Sequence, residues 1–154
     1  MGRFVYADNA ATTRLLPQVL DKMMPFLTDL YGNPSSLYSF GQEAREGVTA
    51  ARKVMAEALG CLPEEVFITS GGSEADNWAI KAAAQAYSNK GKHIITSKIE
   101  HHAVLHTCQY LEQNGYEVTY LDVDEYGKVS PQAVKEAIRP DTILISIMFA
   151  NNEI

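Results

Sequence analysis

The chain has 154 residues, 46% of them hydrophobic and 21% charged, with a formal net charge of −6. That length allows one domain with its own core, and an acidic balance without a clustered Lys/Arg run excludes a nucleic-acid surface. The longest apolar-rich run, Ile143 to Ala150, is strand-sized and far short of the roughly 18 residues of a membrane span, so no membrane partner is expected.

Two further exclusions are local. Asp8 and Asn9 interrupt any signal-peptide core in the first 20 residues. Cys61 and Cys108 form no CxxC pair or disulfide framework, so a reducing, cytoplasmic setting is the expectation.

The apolar segment Phe4–Tyr6 breaks at Asp8-Asn9-Ala10-Ala11-Thr12-Thr13, a polar loop. Pro17 suits the first turn of a helix running to about Phe26. Tyr31-Gly32-Asn33-Pro34-Ser35-Ser36 is a turn cluster. From Gln42 to Leu59 apolar residues fall at helical spacing, with Gly60 as the C-terminal stop. Val66–Thr69 reads as a first strand, then Gly71-Gly72 opens a helix over Ser73–Tyr87. His93–Ser97 reads as a second strand and His102–Gln113 as a helix ended by Asn114-Gly115. Glu117–Val123 is a third strand, Ser130-Pro131 caps a helix to about Ile138, and Thr142–Met148 is a fourth strand. Strands alternating with helices predict an α/β fold with a mainly parallel sheet and flanking helices. The chain stops at Ile154, immediately after a buried-type strand and with no closing turn or cap, which reads as a truncation.

Three places carry chemistry. Thr69-Ser70-Gly71-Gly72-Ser73-Glu74 runs a strand through two glycines into a helix. Free N–H groups and the positive end of the helix dipole favour an anion there. Ser73 and Asp76 form a capping-box pattern, and by itself the segment is a plain capped helix. Glu100-His101-His102 follows the second strand, where an imidazole suits stacking on a flat cofactor or proton transfer. His102 and His106 share a helix face. Two such histidines can ligate zinc, but no HExxH base and no third ligand accompany them, so a solvated face is expected and no metal is assigned. Asn151-Asn152 follows the fourth strand, with amides suited to a ligand hydroxyl or carboxylate.

In this order the segments Ala7–Thr13, Gly32–Ser36, Thr69–Glu74, Thr96–His101 and Ile147–Ile154 closely resemble the class I cysteine desulfurases of the NifS/IscS type, over essentially the whole chain. The resemblance implies part of the fold type I, aspartate-aminotransferase-like architecture of pyridoxal 5'-phosphate (PLP) enzymes. Its sheet has the strand order 3-2-4-5-6-7-1, of which this chain supplies strands 1 to 4. Residues 1–15 would be the N-terminal segment of the small domain and residues 16–154 the N-terminal part of the large, PLP-binding domain. The implied activity is a homodimeric enzyme taking L-cysteine to L-alanine. Its persulfide sulfur would pass to an acceptor or scaffold protein for iron–sulfur cluster or thio-cofactor assembly.

By the same resemblance Gly72 and Ser73 would hold the PLP phosphate, and His101 would stack on the pyridine ring and assist proton transfer. Asn152 would bond the ring oxygen or lie beside the substrate, and Asn9 and Ala11 would lie near the bound cysteine. Gly72-Ser73 stands where Ala-Thr is usual, and Phe149 where histidine is common. The family's Schiff-base lysine, pyridine aspartate, substrate arginine and sulfur-accepting cysteine have no counterpart here. The chain alone is therefore expected to be inactive, and to be poorly stable, to dimerise by exchange through an unpaired edge such as Ile143–Met148, or to need the rest of the enzyme. A selenocysteine lyase, a PLP-dependent epimerase and a non-catalytic binding protein are the alternatives, with a helical zinc-binding module using His102 and His106 a distant fourth.

Overall fold

The computed structural model describes residues 3–154. Met1 and Gly2, the start of the expected small-domain segment, lie outside the described residues. The chain forms two compact units, one through Ile68 and one from Thr69 to Ile154.

In the first unit α1 (Pro17–Thr28) begins with Pro17 in its first turn, where the missing N–H costs nothing. After the turn at Asn33–Ser36, α2 (Ser39–Leu59) runs for 21 residues. It ends at Gly60 in the left-handed conformation (φ 69°), which a residue with a Cβ adopts only with strain. Asn33 Oδ1 accepts from Ser35 N (2.9 Å) and holds the turn closed. A 3-10 turn, Pro63–Glu65, follows.

The second unit is a fragment of the α/β kind. Its elements are α3 (Gly72–Ala86), β1 (His93–Ser97), α4 (His102–Gln113), β2 (Glu117–Leu121), α5 (Pro131–Ala137) and β3 (Thr142–Ser146). Among the described residues the strands form one parallel sheet in the order β2-β1-β3. All five residues of the central β1 are buried. Ile80 and Ala84 of α3 and Val104, Cys108 and Leu111 of α4 form one core cluster with Ile94. Burying an aliphatic side chain of this kind contributes about 1.5–3 kcal/mol. Burial also pushes the Cys108 thiol up to about 11.

The pairing of three expected strands is the 3-2-4 trio of the fold type I order. Val66–Thr69, the expected first strand, is instead irregular and outside the sheet. In the full order that run lies three strands away from the trio, and the described residues supply none of the three. Two strands are shorter than their apolar runs. β2 stops at Leu121, and Val123 instead makes an antiparallel bridge to Val129 across a turn at Gly127 (φ 74°). β3 stops at Ser146 because the Met148 N–H is taken by the Glu100 carboxylate (2.8 Å).

Candidate PLP-phosphate and histidine site at the C-terminal edge of the sheet

Ligands of open α/β sheets bind beyond the carboxyl ends of the strands. In the second unit three expected segments emerge at that edge. The loop after β1 carries Glu100 and His101, and the segment after β3 carries Asn151 and Asn152. The orientation of α3 brings the third. Tyr116, just before β2, donates its hydroxyl to Ala84 O (2.9 Å), which fixes the end of α3 at the strands' N-terminal edge. From Ala84 back to Gly72 is about 18 Å of helix. A five-residue strand spans only about 13 Å. The first turn of α3 therefore reaches the C-terminal edge.

That first turn differs from the capping expectation. The N-cap is Gly71, and Ser73 is already helical. The capping bond runs instead from Ser70 N to Glu74 Oε2 (2.6 Å), and it holds the Glu74 carboxyl below the usual carboxylate range. A Glu at that position reaches back to the entering backbone, so Asp76 is not needed. The first helical bond is Ala75 N to Gly71 O (3.1 Å), leaving the amides of Gly72, Ser73 and Glu74 ahead of the ladder. A Cβ added at Gly71 or Gly72 meets nothing within 4 Å, so the space before these amides is open.

His101 is the N-cap of α4, its Nδ1 accepting from Ala103 N (3.1 Å). That bond puts the proton of the neutral ring on Nε2, and the residue is exposed. No motif of the sequence gives Glu100 a role of its own. It is buried, and its Oε1 accepts from Ser97 Oγ (2.7 Å) and from Met148 N (2.8 Å). A carboxylate between a strand end and a helix cap was the available signal, but its partner lies 48 positions away in sequence. Asn151 is equally structural. Its Nδ2 donates to Ile99 O (2.8 Å), and its Oδ1 accepts from Glu153 N and Ile154 N. Asn152 beside it is exposed, as is Phe149. Glu100 and Asn151 thus tie the two segments that present His101 and Asn152. Asn9 and Ala11 lie in the first unit, in an exposed turn closed by Ala11 N to Asp8 O (3.3 Å).

Residues 5–154 match the family described as aminotransferase class-V. The chain belongs to that family. It is 59% identical over 153 residues to the protein named cysteine desulfurase IscS of Methanosarcina thermophila, covering 99% of this chain and 38% of that protein. Two solved structures superpose with a TM-score of 0.92. One is a NifS-like protein (42% identity, 95% of this chain and 40% of that one). The other is SspA in complex with cysteine (43% identity, 97% and 43%). The chain thus spans about 40% of the length of these relatives. Its fold is the corresponding part of the fold type I architecture, a parallel sheet with flanking helices. Among the described residues no helix is long and apolar enough to cross a membrane.

The family implies PLP, and the chemistry of the edge fits one end of that cofactor. Three amides at a helix N-terminus, the hydroxyl of Ser73 and an open approach across Gly71-Gly72 suit a phosphate dianion.

Proposed function

We propose that the protein to which this chain belongs is a PLP-dependent cysteine desulfurase. It would convert L-cysteine and an enzyme thiol into L-alanine and an enzyme persulfide. The sulfur would go to an acceptor or scaffold protein for iron–sulfur cluster or thio-cofactor assembly. The observation that carries this reading is the 59% identity to a cysteine desulfurase across 99% of the chain. Its support in the molecule is the open helix N-terminus of Gly72-Ser73 at the same sheet edge as His101.

Bound PLP supplies an electron sink for the substrate carbon. The residues of this chain do the holding and orienting. Gly72 and Ser73 bind the phosphate through backbone amides and a hydroxyl. His101, held by its cap bond, would stack on the pyridine ring and assist proton transfer. Asn152 bonds the ring oxygen or the substrate, and Asn9 and Ala11 lie near the bound cysteine. In the same reading residues 1–15 belong to the small domain and 16–154 to the large one, and the enzyme is a cytoplasmic homodimer. The lysine that anchors PLP and the cysteine that accepts sulfur come from outside these 154 residues, which are inactive alone.

The test is the intact protein incubated with PLP and L-cysteine. Stoichiometric L-alanine and protein persulfide are expected, with a large loss of alanine production in His101→Gln. PLP uptake without alanine would overturn the assignment, and faster turnover of L-selenocysteine than of L-cysteine would transfer it to the selenocysteine lyases.

A further inference from the structure

The helix α4 carries two histidines that the proposed site does not use. His102 is its first residue and His106 lies one turn on, both exposed. Among the described residues neither ring has a hydrogen-bond partner, and their only ring contacts are with histidines. The two ring centroids are 5.3 Å apart with the planes at 61°.

That separation is informative. With a metal–nitrogen bond of about 2.1 Å and a centroid about 1.1 Å behind the nitrogen, each ring centre lies about 3.2 Å from a shared ion. Two ligands at a tetrahedral angle then place their centroids about 5.2 Å apart, whereas a right angle gives about 4.5 Å. The observed centroid spacing equals the tetrahedral value. His101, centred 6.3 Å from His102 and with Nδ1 committed to the Ala103 amide, is not a third ligand. No group of three or more His, Cys, Asp or Glu side chains among the described residues forms a closed cage. The helix dipole disfavours a cation at this end by less than about tenfold in affinity.

We propose that His102 and His106 form an open two-imidazole site for a tetrahedral divalent ion of the zinc class, with water or a small ligand in the remaining two positions. The site does not rest on the desulfurase reading and needs no bound PLP.

The experiment takes the intact, chelator-treated protein. Zinc chloride uptake is followed by equilibrium dialysis, and cobalt chloride by visible absorption. The parent protein is expected to take up one equivalent more than H102Q/H106Q, with the intense visible bands of four-coordinate cobalt. Each single substitution weakens that equivalent by more than about tenfold, and H101Q leaves it in place. H106Q alone, an exposed change within the helix, decides the matter if the double variant loses its circular dichroism. Equal uptake by the parent and these variants would overturn the site, as would a six-coordinate cobalt spectrum or a loss in H101Q as large as in H106Q.

Discussion

Replacing Glu100 by alanine tests whether one buried carboxylate sets the edge of the sheet. Its Oε1 takes two hydrogen bonds, from Ser97 Oγ at 2.7 Å and Met148 N at 2.8 Å. Ser97 is only 1% exposed, so its hydroxyl would be orphaned at a cost of about 1–3 kcal/mol. Met148 is half-buried, and water can replace part of its lost bond, leaving about 1 kcal/mol. The sum is about 3 kcal/mol, concentrated where the segments after β1 and β3 meet. Hydrogen exchange at the Met148 amide reads this directly, because about 3 kcal/mol corresponds to roughly a hundredfold loss of protection. Glu100→Gln keeps an acceptor oxygen and should lose only about 1 kcal/mol. In the intact protein PLP affinity should fall in the same order, since the two segments present His101 and Asn152. Met148 exchange unchanged within about threefold in Glu100→Ala would refute the reasoning.

Further outcomes follow from other parts of the structure. His93 is buried between Thr142 Oγ1 (2.7 Å) and Thr119 Oγ1 (2.8 Å), and desolvation, with Arg139 nearby, lowers its pKa below the ordinary 6.5. Its contribution to stability is therefore complete above about pH 6.5 and is lost as pH falls towards its lower folded value, because the unfolded state then binds the proton first. Urea midpoints should drop between pH 7.5 and 5.5, and His93→Gln should flatten that slope. A thiol pushed up to about 11 and fully buried makes Cys108 inert, so native protein at pH 8 should lose Cys61 to Ellman's reagent and retain Cys108 until unfolded. Open space at Gly72 predicts that Gly72→Ala leaves the fold intact and, in a helix, gains up to about 1 kcal/mol by thermal melting. Ser73→Ala in the intact protein should weaken PLP binding while Ser73→Thr preserves it, which equilibrium dialysis of the cofactor would show. The 154-residue chain alone should self-associate through the edge strand β3, where Ile145 is 42% exposed, and Ile145→Lys should suppress this in sedimentation.

Much of this architecture is legible in the sequence. Helical spacing from Gln42 to Leu59 and the Gly60 stop are local properties of the chain, and α2 ends where they place its end. His93–Ser97 and His102–Gln113 have the same bounds in sequence and structure, since buried runs and capping residues act over a few positions. The ordered motifs likewise carried the family. Tertiary structure decided what depends on partners far along the chain. Val66–Thr69 has the composition of a strand, yet a strand exists only where a neighbour completes its ladder. The β3 run stops early because a carboxylate 48 residues upstream takes the Met148 amide. Asn151 reads as half of a turn pair or as a ligand group, and only the Ile99 carbonyl 52 positions away makes it a brace. Ser73 and Asp76 matched a capping pattern that the backbone did not use, because Glu74 reaches Ser70 first. Local propensity and pattern are written in adjacent residues, whereas hydrogen-bond partners across a sheet edge are chosen only when the chain has folded.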